Sequence, residues 1–218
     1  MSFEGAIVFV HIPKTAGTSF RVAAEDYFGS ERVLKDYGAD SEETSQAILD
    51  TVYADGSMPQ RDFRFLTGHY PASKYANKFN NAALVTFVRD PVSRVLSEFQ
   101  HFVNLNGYAG SFEDFYTTEE FCDRQSRLIG LDASTDIDFV GVTDMYNESV
   151  ERFNQLYGAD IQCLSLNPGS YRTVAPKVAP EVAEQIIALN QNDMALYTSA
   201  KAALSIPLAG ESREAMLA

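Results

Sequence analysis

The residues best equipped for chemistry lie in one short stretch, His11-Ile12-Pro13-Lys14-Thr15-Ala16-Gly17-Thr18-Ser19-Phe20. It follows an apolar run, Ala6-Ile7-Val8-Phe9-Val10, and precedes an amphipathic stretch with apolar residues at Phe20, Ala23, Ala24, Tyr27 and Phe28. That order predicts strand, tight loop, helix. A helix N-terminus presents free N–H groups and a partial positive charge, so it attracts phosphate-like anions. Lys14 adds a point charge, and Thr15, Thr18 and Ser19 add hydroxyl donors beside Ala16 and Gly17. The pattern differs from the common triphosphate loop, where lysine directly follows the second glycine; here Lys14 comes three residues before Gly17. The plainer reading makes Gly17 a turn residue and the hydroxyls a helix cap. The order of strand, lysine, glycine and helix favours the anion cradle.

A second group of polar residues begins at Arg89-Asp90-Pro91. Asp90 suits a helix N-cap and Pro91 the first helical position. The helix that follows puts Val92, Val95, Leu96, Phe99, Phe102 and Val103 on one face, and Ser93, Arg94, Ser97 and His101 on the polar side. Arg89 at the strand end and Ser97 within the helix form a candidate second anion site. For acid–base chemistry there are three histidines. His69 follows Gly68 at the end of an apolar run and is the best candidate base. His11 reads as support for the loop, and His101 as a helix-surface residue.

These residues need a scaffold. Apolar runs at 6–11, 63–68, 82–88 and 136–142, with a shorter one at 161–164, predict five strands separated by helical patterns. Strands apolar on both faces and alternating with helices imply an α/β three-layer sandwich around a central parallel sheet. In such folds ligands bind at the carboxyl ends of the strands, where 12–19, Gly68-His69 and Arg89-Asp90 all fall. Gly29 reads as the C-cap of the first helix. Residues 30–62 read as loops around a short helix near 41–53, and 181–204 as helical.

The chain has 218 residues, which suits one domain, 1–218, with 209–218 expected to fray. Its net charge of −13 repels polyanions and argues against nucleic acid as a partner. No apolar run approaches the length that crosses a bilayer, and the N-terminus lacks the pattern of a signal peptide. Cys122 and Cys163 read as buried free thiols in a reducing compartment, so the expected location is cytoplasmic. No ligand spacing calls for a metal.

Taken together, the two anion motifs resemble those of sulfotransferases. His11 to Phe20 is similar to their 5′-phosphosulfate loop. Val88 to Phe102, with its R-D-P-x-x-R-x-x-S core, is similar to their 3′-phosphate motif. The best match is the branch of uronyl 2-O-sulfotransferases and their bacterial relatives. Thr67-Gly68-His69 lies where that branch carries its catalytic histidine, although Thr67 stands where the branch has a second one. Arg124 to Gly130, Phe139 to Asp144, Tyr171 to Lys177 and Asp193 to Tyr197 extend the likeness along the chain. The resemblance implies a P-loop-like sulfotransferase fold with 3′-phosphoadenosine 5′-phosphosulfate as donor. It implies that Lys14, Thr15, Ala16, Gly17, Thr18 and Ser19 hold the 5′-phosphosulfate. Arg89 and Ser97 would hold the 3′-phosphate, with Arg172 and Thr173 closing over it. Lys14 and His69 would be catalytic, and the acceptor a hydroxyl of a carbohydrate, glycolipid or small metabolite. Residues 30–62 and 104–135 would frame that acceptor, and Tyr108, Phe112, Phe115 and Tyr116 could stack on sugar rings.

Two other classes remain at this stage: a magnesium-dependent kinase or hydrolase with a variant phosphate loop, and a non-catalytic nucleotide-binding module.

Overall fold

The computed structural model of the protein describes residues 3–130, 137–164 and 178–207. Five parallel strands form one sheet: β1 (Ala6–Val10), β2 (Val33–Asp36), β3 (Phe65–Gly68), β4 (Ala82–Val88) and β5 (Phe139–Val142). Their order is β2-β3-β1-β4-β5. β1 pairs with β3 (Val10 beside Gly68) and with β4 (Val10 beside Thr86), so β1 and β3 end level while β4 runs two residues further, to Val88. From β1 the chain runs to the edge strand β2, returns to β3 beside β1, and then crosses to β4 on the other side, which places a crevice at those ends.

The two-residue period of a strand sorts the core into two faces. Ile7 and Phe9 of β1, with Val85 and Phe87 of β4, pack against Phe20, Ala23 and Ala24 of helix α1 (Gly17–Phe28) and Val150 and Phe153 of α6 (Tyr146–Tyr157). Val8, Val10, Leu66, Leu84 and Val88 point the other way, onto Ile48, Tyr75, Ile129 and Ala200. Ile48 ends α2 (Gln46–Ile48), which continues as a π-helical turn over Leu49–Tyr53. Ile129 belongs to α5 (Arg124–Ile129), and Ala200 to α8 (Gln191–Leu204). A third cluster joins Val95 of α3 (Pro91–Leu105), Phe115 and Tyr116 of α4 (Phe112–Thr117), Phe121, and Ile186 of α7 (Pro180–Leu189).

The parallel three-layer sandwich agrees with the expectation, with one exchange of strands. The fifth strand is Val33–Asp36, inside a segment read as loop and helix, and Ile161–Leu164 is not a strand. Asn154 of α6 explains the second point. Its amide oxygen accepts from Ile161 N and its amide nitrogen donates to Ile161 O, both at 2.9 Å, so those backbone groups are bound to the helix rather than to β5. β2 escaped detection because Lys35 and Asp36 interrupt its apolar pattern. Lys35 pairs with Glu25 at 2.9 Å, and Asp36 is buried under the Tyr53 and Tyr75 hydroxyls (2.7 Å each) and Lys74 Nζ (2.6 Å).

α3 also differs from its expected amphipathic form. Arg94 and Glu98 are fully buried and paired with each other, while Val103 is exposed. Arg94 also donates to Phe121 O at 2.6 Å, and Asp193 of α8 stands 3.9 Å from its Nε. Arg124 Nη1 completes the cluster 2.8 Å from Glu98. Phe115 and Tyr116 are core residues, the former stacked on Phe121 with centroids 3.8 Å apart, and Tyr108 and Phe112 pack onto the same cluster. Phe115 and Tyr116 therefore offer no face to a sugar. Cys122 is half-buried and Cys163 exposed; both are free.

Two outcomes follow. A methyl group at Gly68 would lie 1.8 Å from the Asp36 carbonyl oxygen of β2. Gly68→Ala should therefore wedge β2 from β3 and cost about 2 kcal/mol, read by urea denaturation. Arg94→Ala removes the buried partner of Glu98, which keeps only the Arg124 contact, and the cation beside Asp193, and should cost about 3 kcal/mol in the same measurement.

Candidate active site

β1 ends and the chain turns at once into the anion loop. Thr15 Oγ1 donates to Ile12 O at 2.9 Å and closes the turn. Lys14 (φ 67°) and Ala16 (φ 64°) both adopt the left-handed conformation that L-residues rarely take. Gly17 does not. Its role is space: a Cβ there would lie 2.1 Å from Cδ2 of the His11 ring. Gly17 is thus a close-approach glycine rather than the turn residue of the plainer reading, and the turn is made by its neighbours. α1 then starts with no side-chain cap and no acidic residue in its first turn. Among the described helices α3 and α4 carry side-chain caps, from Asp90 and Ser111, and the others start without one. An uncapped helix start opening on a cleft is what an anion-binding terminus requires.

The cleft is lined by Lys14, Ala16, Gly17 and Thr18 from the loop, His69 from the end of β3, and Arg89 and Ser97 from the β4–α3 unit. These sequence-predicted residues therefore share one site. Thr15 does not join them through its side chain, which is buried with its hydroxyl committed to Ile12. Ser19 lies behind the loop, beside Thr143, Tyr146 and Asn147 in an adjoining hollow that Ala16 also lines. Its buried hydroxyl has no hydrogen-bond partner among the described residues, an orphan polar group that suits a ligand reaching round the helix start. Arg172 and Thr173 lie outside the described residues.

Arg89 is held by its backbone. Its N–H donates to Gln125 Oε1 at 2.8 Å, and its carbonyl accepts from Gln125 Nε2 at 3.0 Å. Gln125 is anchored by its own N and Nε2, both 3.2 Å from Asp193 Oδ2. The Arg89 guanidinium reaches the Lys14 carbonyl at 3.4 Å, so the two anion motifs touch. Burial and the nearby Arg89 charge both lower the pKa of Lys14. Two cations crowded together in a chain of net charge −13 are relieved by a bound anion.

His69 Nδ1 donates to the His11 carbonyl at 2.6 Å. This bond assigns the proton to Nδ1 and leaves Nε2 as an open lone pair. The ring is solvent-accessible on the cleft side, but His11 (centroids 4.6 Å) and Tyr37 (4.9 Å) crowd its other edges. That desolvation, against the raising effect of the His11 carbonyl, lowers its pKa below the ordinary imidazole value. Thr67 beside it is buried.

The cleft is also lined by His11, Pro13, Glu98, His101, Phe102 and Arg124, none of which sequence reasoning placed in it. His101 is a cleft residue rather than a surface one; its place one turn after Ser97 was the available signal. Burial and the Lys14 charge lower its pKa.

Comparison with known proteins identifies the family and the fold. The sequence model of the sulfotransferase family matches residues 1–198. No curated protein sequence matches the chain. Among solved structures, a sulfotransferase from Alicyclobacillus acidocaldarius superposes with a TM-score of 0.53 at 16% identity, covering 90% of this chain and 95% of that one. The mouse sulfotransferase SULT7A1 complexed with PAP gives 0.54 at 10% identity, covering 91% and 88%. At these identities the neighbours speak for the fold, and the family match speaks for descent. The chain belongs to the sulfotransferase family, the enzymes that depend on 3′-phosphoadenosine 5′-phosphosulfate.

Proposed function

We propose that the protein transfers the sulfuryl group of 3′-phosphoadenosine 5′-phosphosulfate to a hydroxyl of a carbohydrate or glycoconjugate. The observation that carries this is the shared cleft of His69, with its open Nε2, and the anion loop with Lys14. The donor nucleotide supplies an activated sulfuryl group on a phosphate that leaves as an anion. Lys14 and the free N–H groups at the start of α1 bind that phosphate and stabilise its charge as it develops. Arg89 and Ser97 hold the 3′-phosphate, where a guanidinium gives two parallel hydrogen bonds. Ser19 reaches the nucleotide from the adjoining hollow. His69 Nε2 takes the proton of the acceptor hydroxyl, and its Nδ1–H stays on the His11 carbonyl throughout.

Phe115 and Tyr116 of α4 are buried in the core, which leaves Phe102 as the aromatic residue lining the cleft among the described residues. No helix among the described residues is long and apolar enough to cross a membrane. We assign the enzyme to the cytoplasm, where the free thiols of Cys122 and Cys163 would stay reduced.

The sign of the His69 shift sets the pH profile. A lowered pKa keeps the imidazole neutral, and so competent as a base, further into the acid range. Turnover should hold at neutral pH and fall only below the ordinary imidazole value near 6.5. His69→Ala should lose at least about 100-fold in kcat and the acid limb with it, while binding 3′-phosphoadenosine 5′-phosphate normally. A variant that keeps both rate and limb would remove His69 as the base. Lys14→Ala should lose turnover and weaken that binding. Arg89→Ala should abolish the preference, read by calorimetry, for 3′-phosphoadenosine 5′-phosphate over adenosine 5′-phosphate. Tighter binding of Mg-ATP by the unaltered protein would overturn the whole reading.

A further inference from the structure

His11 contributes more than its carbonyl. Its ring is 7% exposed and lies between the candidate base and the anion loop. One side meets His69 with centroids 4.6 Å apart. The edge carrying Cδ2 and Nε2 meets Gly17, where an added Cβ would lie 2.1 and 2.5 Å from those two atoms. The far edge is fixed, with Nδ1 3.1 Å from the Tyr37 hydroxyl. Among the described residues Nε2 has no hydrogen-bond partner, and the residue lines the cleft.

We propose that His11 is a second imidazole of the transfer site, a neutral donor whose Nε2–H binds an oxygen of the sulfuryl group while His69 receives the acceptor proton. This rests on sulfuryl transfer being the reaction.

The protonation state follows from the surroundings. The groups facing the ring are Tyr37, His69, Lys14 and Arg21; burial first, then the charges of His69, Arg21 and Lys14, oppose a cation there. A neutral imidazole carries one proton. Tyr37 keeps its own, because burial pushes its pKa up to about 12. Its hydroxyl is thus available to donate to Nδ1, and with the bond in that direction the ring proton sits on Nε2. That proton sits on the ring edge beside Gly17, the first residue of α1, in a residue that lines the cleft. The contact adds a donor on the transferred group, between the loop that binds the leaving phosphate and the base that activates the acceptor.

The test compares equilibrium binding of 3′-phosphoadenosine 5′-phosphosulfate and of the sulfuryl-free 3′-phosphoadenosine 5′-phosphate to the unaltered protein, H11L and H11Q. H11L should lose about ten-fold in affinity for the first and stay within about two-fold for the second. H11Q, whose amide nitrogen can stand near the place of Nε2, should regain most of the loss. An unchanged affinity ratio in H11L, or H11Q as weak as H11L, overturns the proposal for His11 alone. Failure of the unaltered protein to bind either nucleotide overturns the sulfotransferase reading as well. A second measurement needs no variant at His11. Long-range 1H–15N spectra of the nucleotide-free protein should show His11 as the Nε2–H tautomer, with Nδ1–H gaining population in Y37F. A charged ring or an Nδ1–H tautomer in the unaltered protein overturns the assignment.

Discussion

The site hangs from the last rung of one parallel ladder. His11 N donates to Gly68 O at 3.0 Å, and the carbonyl of the same residue takes the Nδ1 proton of His69. One residue therefore ends β1, receives the side chain that follows β3, and begins the turn that becomes the anion loop. The distance between base and cradle is set by backbone pairing rather than by flexible side chains, which is the kind of rigidity an in-line transfer needs. Gly68 serves the same ladder from the other side, since only a residue without a side chain lets β2 approach β3.

A second support lies beneath Arg89. Asp193, buried on α8, holds Gln125 and the N–H of Ser126 (2.7 Å), and Gln125 holds the backbone of Arg89. Arg94 and Glu98 occupy the same interior, and Arg124 carries the ion network from it to the cleft wall. Such a buried cluster is not an economical source of stability, because desolvation offsets much of the attraction. Its use is geometric: α3, α5 and α8 are fixed relative to one another and to the end of β4. The motif R-D-P-x-x-R-x-x-S thus divides its labour. Arg89 and Ser97 face the cleft, while Asp90 caps the helix by accepting from Ser93 N at 2.8 Å and Arg94 ties the helix to the core.

Much of this was legible in the residues because it depends on local pattern. The strand–loop–helix order around Lys14, the β4 boundaries at Ala82 and Val88, and the cap at Asp90 are short-range features with strong signals. What was not legible depends on tertiary partners. Val33–Asp36 lacks a continuous apolar run because its polar residues are satisfied by distant Lys74, Tyr53, Tyr75 and Glu25. Ile161–Leu164 has the right residues for a strand but is captured by Asn154. Arg94 reads as a surface residue until Asp193, far along the chain, is seen beside it. The Gly17 and His11 contact joins residues close in sequence, yet periodicity says nothing about it.

Lys14 and Ala16 stand in the left-handed region without being glycine. Backbone of that kind costs on the order of 1–3 kcal/mol per residue and persists only where the surroundings enforce it. Here the turn bond from Thr15 and the packing of His11 against Gly17 do the enforcing. The consequence is a trade between sturdiness and grip. The loop meets its ligand already shaped, so little ordering entropy is lost on binding. A chain that relaxed these two residues would be a more stable protein and a poorer host for an anion.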